Sequence, residues 1–155
     1  MEKAVLLLHS WLRWVVILSG IFAVVRAASG LSAGRSFTAG DKRAGLIFLI
    51  SVDLQAVVGL LLYFGLSPMV QGARALGGAM MKNRVLRFWG VEHITLMVLA
   101  WILTHVVWVL SKRAPEGPAR FRRMAYGFSA ALVLMLAAVP WPFMGAVGRP
   151  WFNLG

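Results

Sequence analysis

The chain has 155 residues, 60% of them apolar and only 14% charged, with a mean hydropathy of +0.78. That composition excludes an ordinary soluble domain and describes an integral membrane protein. The formal charge of +11 does not indicate nucleic acid, because Lys and Arg cluster beside the ends of apolar stretches, where anionic lipid headgroups meet them.

A spanning helix needs about 20 mainly apolar residues, and four stretches supply them, at about residues 4–26, 44–66, 86–110 and 124–143. The first is interrupted by His9, Ser10 and Arg13 and is longer than the apolar region of a signal peptide, so it is read as a true span. The joins around residues 29–43 and 111–123 are short and rich in Gly, Ser, Pro and basic residues, which predicts antiparallel neighbours. The expected fold is all-α, a single up-and-down four-helix transmembrane bundle. Nine Lys and Arg flank the joins after the first and third spans against seven on the other side, a margin that leans toward both termini outside. The absence of cysteine rules out disulfides, Cys-ligated iron–sulfur clusters and covalently attached c-type haem.

The residues that carry chemistry are His9 and His93. At about 1.5 Å per residue, His9 lies roughly 8 Å into the first span and His93 roughly 10 Å into the third. These helices start on the same face and are diagonal partners in such a bundle, which leaves room for a flat macrocycle between two imidazoles. The expectation is one b-type haem with His9 and His93 as its axial ligands. A lone intramembrane histidine is as well explained by hydrogen-bonded packing; two at one depth point further toward a site.

At 100° per residue, Arg13 and Gly20 share the face of His9 while Trp11 and Trp14 point away toward the lipid interface. Leu86, Trp89, Met97, Ala100 and Thr104 share the face of His93. Small residues such as Gly20 and Ala100 leave room for a ring or for close helix packing. Arg13, Arg84 and Arg87 are candidate partners for haem propionates, with interfacial anchoring as the alternative for the last two. Arg13 and Asp53, from neighbouring spans at depths differing by roughly 6 Å, are expected to form an ion pair or a proton path. Glu92 points about 100° away from His93, to orient a neighbour or reach the surface. His105 lies roughly 18 Å beyond His93 and cannot share its haem; Met124 is the one residue placed to complete a second site with it, although Met is more often packing filler. No catalytic constellation is evident.

The segments LHSWLRWVV (8–16), DLQAVVGLLLYF (53–64), MKNRVLRFWGVEHITLM (81–97), PWPF (140–143) and GRPWF (148–152) resemble a family of small four-helix bacterial membrane proteins labelled cytochrome b or cytochrome b-like. The resemblance runs over nearly the whole chain. It implies a haem-binding electron-transfer protein of the bacterial inner membrane, with His9 and His93 matching the family's paired histidines. Many members carry His where this chain has Asp53. The larger diheme cytochromes b need four histidines, and this chain has three.

The functional expectation is a membrane-bound cytochrome that passes single electrons to or from quinone or a partner redox complex. The join at 67–85 and the C-terminal stretch 141–154 lie on the haem side, as a docking surface, a cover or plain connection. Two other classes compete: an accessory subunit of a larger respiratory or photosynthetic complex, and a metal-handling protein using His9, His93, Asp53 and Glu92. The expected partners are membrane lipid, quinone, and a larger complex or further copies of the chain.

Overall fold

In the computed structural model, which describes residues 1–115 and 117–152, all regular structure is helical. Four helices are long and apolar enough to cross a membrane: α1 (Glu2–Ser32), α2 (Ala39–Leu66), α4 (Arg84–Lys112) and α5 (Pro118–Ala138). A short helix, α3 (Pro68–Ala75), and a 3-10 turn (Gly77–Lys82) fill the join between α2 and α4, and a second 3-10 turn (Pro142–Val147) follows α5.

The helix limits differ from the apolar limits where backbone chemistry decides. α1 outruns its apolar stretch because no breaker intervenes before Gly34, whose φ of +60 suits glycine. Its 31 residues span about 46 Å at 1.5 Å each, against a hydrocarbon layer of about 30 Å, so α1 runs past the apolar layer or tilts through it. α4 starts at Arg84 because the Asn83 side chain accepts from the backbone N–H of Val85 (2.9 Å) and Leu86 (3.1 Å). α5 begins at Pro118, six residues before the expected 124, since proline suits the first helical position. It ends at Ala138 instead of 143, because Val139 precedes Pro140 and is extended, with ψ 129.

The α1–α2 corner is clasped by Asp41, 1% exposed. Its carboxylate accepts from Arg26 (2.9 Å), Arg35 (2.6 Å) and the Thr38 hydroxyl (2.7 Å), so a buried charge is fully paired.

The helices run up and down, as expected. α1 packs along α2 and α5, and α4 along α5; α2 meets α4 over a shorter stretch, and α1 and α4 face each other diagonally. Tight packing concentrates at the end that holds the α1–α2 and α4–α5 corners. Phe48, Phe121 and Phe128 are fully buried there, with Met124 and Trp108, and Phe48 and Phe128 meet edge to face at 5.2 Å. Gly127 lets α5 approach α4, because a Cβ at that position would run into Val107.

Candidate functional site: a histidine-lined cavity

At the opposite end the bundle is hollow. A cavity of about 390 Å³ lies between α1, α2, α4 and the end of α5, within the range of cofactor pockets, roughly 300–1,000 Å³. His9 and Arg13 reach it from α1, Gln55, Gly59 and Tyr63 from α2, and Trp89, His93, Met97 and Trp101 from α4. Val139, Pro140, Arg149 and Pro150 close one wall, and Ser67, Met69 and Val70 contribute from the α2–α4 join. Both segments thought to connect, dock or cover therefore do line the site; Asn153 and Leu154 lie outside the described residues.

The diagonal placement brings His9 and His93 together with ring centroids 6.3 Å apart and planes at 72°. Each ring is set by a separate local cause. α5 stops at Ala138, whose carbonyl is therefore one of the orphan acceptors of a helix end. His93 Nδ1–H donates to that carbonyl at 2.8 Å. A carbonyl only accepts, so the tautomer is fixed and the lone pair belongs to Nε2. This is the outer hydrogen bond that metal-ligating histidines use.

His9 is held from α2. Gln55 donates through Nε2 to the His9 carbonyl at 3.1 Å, and the same amide nitrogen lies 3.3 Å from His9 Nε2. His9 Nδ1, Gln55 Oε1 and Arg13 Nε are buried without a hydrogen-bond partner among the described residues. Gly59 makes the space: a Cβ there would stand 3.0 Å from His9 Cε1.

Two of the turns beside the site are π-helical, Leu62–Leu66 in α2 and Phe88–Glu92 in α4. They face each other, and the Tyr63 hydroxyl donates to the Gly90 carbonyl at 2.8 Å. The wide turn in α4 directly precedes His93, and such bulges are frequent at functional sites. Trp89 packs at 5.5 Å and Phe88 at 5.9 Å from the His93 ring.

The cations differ from expectation. Arg13 does line the cavity, and its Nη2 donates to the Trp151 carbonyl at 2.7 Å. Arg84 and Arg87 do not line it. Arg87 turns to Glu92, 2.6 Å away, and to the Met81 carbonyl, because the π turn carries Glu92 back over the helix start. The second cation at the cavity is Arg149, which lies 5.1 Å over the Trp89 ring. Its sequence signal is its place in the GRPWF segment, and it is brought to the cavity by the fold-back in which its backbone N–H donates to the Pro140 carbonyl at 2.9 Å.

Arg13 and Asp53 do not pair. Gln55 faces the cavity, so Asp53, two residues and about 200° away on the same helix, faces out. There its Oδ1 accepts from His105 Nε2 (2.8 Å) and Trp101 Nε1 (2.7 Å). His105 is thus occupied on the outer α2–α4 face, while Met124 is 1% exposed in the packed core; the two do not come together as a second site. Gly20 and Ala100 also serve packing: a Cβ at Gly20 would stand 2.8 Å from Phe48, and Ala100 is fully buried. Trp14 is turned away from His9 as expected, but toward the tail, where its Nε1 donates to the Trp151 carbonyl at 3.1 Å and its ring stacks on Phe152.

Among the described residues no group of three or more His, Asp or Glu is placed to hold a bare metal ion. Comparison of the chain with family models, with curated proteins and with solved structures finds no match.

Proposed function

We propose that this membrane protein is a b-type cytochrome in which His9 and His93 hold one haem b and through which single electrons pass. The observation that carries the reading is the histidine pair. Two imidazoles on opposite sides of one metal, each bonded at roughly 2 Å, have centroids about 6 Å apart, and here the separation is 6.3 Å. The fit extends to the nitrogens: His93 Nδ1 is tied to the Ala138 carbonyl and its Nε2 is left for ligation, while His9 keeps a buried nitrogen without a partner.

Haem b, when bound, supplies one-electron chemistry at iron. The protein's part is to hold, insulate and tune. The Ala138 carbonyl fixes the orientation of the His93 ring. Gln55 restrains His9. Trp89, Met97, Val98 and Ile17 keep the cavity walls apolar, and Arg13 and Arg149 are the cations available to propionates. The quoted sequence segments and their resemblance to cytochrome b-like proteins support this reading, and with it we propose a bacterial inner-membrane location and quinone or a redox complex as electron partner.

The test is a dithionite-reduced minus oxidised spectrum of detergent-purified protein, with a pyridine haemochrome assay. The expected result is a low-spin b-type signal at about one haem per chain. A folded, colourless preparation that takes up no added haem refutes the proposal.

A second reading, an accessory subunit of a larger complex, draws on the Asp53–His105 pair. Both side chains are about 40% exposed, at 40% and 38%, on a face turned to lipid, where polar groups are costly. A neighbouring span would cover them. Stable co-purification with other chains, unchanged by haem loss, would favour that reading.

A further inference from the structure

Asp53 and His105 carry charge to a part of the surface where lipid tails are expected. They meet on the outer α2–α4 face, with His105 Nε2 2.8 Å from Asp53 Oδ1 and the Trp101 indole N–H donating to the same oxygen at 2.7 Å. Counted inward from Ala39 and from Lys112 at 1.5 Å per residue, they stand about 21 and about 11 Å from the helix ends on that side. That places them inside a hydrocarbon layer about 30 Å thick. The other charged side chains of the spans, among the described residues, lie at the cavity, at a corner or near a helix end, as do Arg13, Arg26 with Asp41, and Arg87 with Glu92. The Asp53 and His105 side chains remain 40% and 38% exposed, a costly placement against lipid.

The bonds within the chain leave one oxygen and one nitrogen over. Asp53 Oδ1 takes both donors, so Asp53 Oδ2 and His105 Nδ1 have no hydrogen-bond partner among the described residues. A net-neutral pair has two proton arrangements. A carboxylate beside an imidazolium leaves an acceptor at Oδ2 and an N–H at Nδ1; a carboxylic acid beside a neutral imidazole leaves an O–H at Oδ2 and a lone pair at Nδ1. In both, one leftover atom donates and the other accepts, so the patch is its own complement under a two-fold rotation. A second copy enters the membrane in the same orientation. An axis along the membrane normal therefore brings its patch to the same depth, with Asp53 opposite the partner's His105 and the reverse. A chain of another sequence would have to supply a donor and an acceptor at that depth independently.

The surroundings suit a helix-on-helix contact. One turn to either side of the pair, Ile50 and Val57 on α2 and Ile102 and Val109 on α4 are large, apolar and exposed. Two apolar ridges thus flank the polar groups, the arrangement in which an interhelical hydrogen bond adds to packing within lipid. We propose that the α2–α4 face is a homodimer interface in which Asp53 and His105 of each copy bond reciprocally to His105 and Asp53 of the other. Neither residue lines the histidine cavity, so the interface stands whether or not haem is bound.

The experiment is single-molecule subunit counting of the fluorescently labelled full chain in phosphatidylcholine and phosphatidylglycerol liposomes over a range of protein densities. The parent should form pairs. An Asp53→Leu, His105→Leu variant removes both polar groups without leaving either one alone, and should pair on the order of tenfold more weakly. The absence of cysteine allows a second readout that keeps the polar pair intact. Oxidation of Val57→Cys chains mixed with Ile102→Cys chains should give a product of twice the chain mass, whereas Phe22→Cys, on the exposed face of α1, should give none. Should the Leu variant fail to fold, the cross-linking comparison decides alone. A parent that is monomeric at every density, a folded Leu variant that pairs as well as the parent, or cross-linking through α1 as efficient as through α2 and α4 overturns the proposal. So does a parent that is monomeric in liposomes but leaves the membrane bound through this face to a different chain, an outcome that assigns the face to the accessory-subunit reading.

Discussion

The two ends of the bundle are built on opposite principles. At one end Phe48, Phe121, Phe128 and Met124 fill the space between helices; at the other, His9 and His93 face each other across a cavity of about 390 Å³. The helices are the same, so the difference lies in what projects inward and in how the turns are wound. The filled end has regular α-helix and glycine notches that let rings in. The hollow end has two π turns, a helix stopped early by proline, and buried nitrogen and oxygen atoms without partners. Packing defects that would be costly in a core are concentrated around the two histidines, which suits the proposed cofactor.

The comparison breaks most sharply at the histidines. Replacing His93 or His9 with Ala should abolish the low-spin haem spectrum while the bundle still unfolds cooperatively, because the packed end is untouched. Equal haem loss in His105→Ala would sink the assignment, since His105 is engaged by Asp53 on the outer face. At the packed end the effect should be the reverse: Phe128→Ala should lower stability by about 3 kcal/mol, read by unfolding in detergent, and leave the haem spectrum in the folded fraction unaltered. Gly59→Val tests the fit of His9 alone; a side chain starting 3.0 Å from Cε1 displaces the ring and should weaken haem retention on the order of tenfold, the scale of losing an outer-shell support. The smallest change is expected for Arg13→Leu. Removing a cation beside the cavity destabilises the reduced form relative to the more positive oxidised form, so a redox titration should show a lowered midpoint potential; an unchanged value would confine Arg13 to tying down the tail through Trp151.

The pattern that sequence reveals is the one governed by regular geometry. The four spans, their alternation and the shared depth of His9 and His93 follow from a constant rise per residue, which the bundle respects. Gln55 is a polar break in an apolar span, but an amide that is neither a haem ligand nor an ion-pair partner does not announce that it holds His9, and Arg149 was hidden because its approach depends on the fold-back after Pro140 and Pro142. The Arg13–Asp53 expectation compared depth without rotation; Gln55 and Asp53 cannot both face inward from one helix. The place of Arg87 at the mouth of the third span says nothing of its direction, and the π turn at Phe88–Glu92 brings Glu92 within 2.6 Å of it. The pairing of His93 with Ala138 required knowing where α5 stops, which the apolar limits overshot by five residues and Pro140 fixes.

The tail has a consequence for the order in which the molecule is assembled. Arg149 and Pro150, which wall the cavity, and Trp151, whose carbonyl accepts from Arg13, follow all four spans in the chain. During synthesis the histidines from α1 and α4 are therefore in the membrane before this wall is made, and a bulky planar guest has a period in which the chamber is unlatched. Once Arg13 and Trp14 engage the Trp151 carbonyl, that segment is tied down, so on the proposed haem reading loading would come before this tie and retention after it.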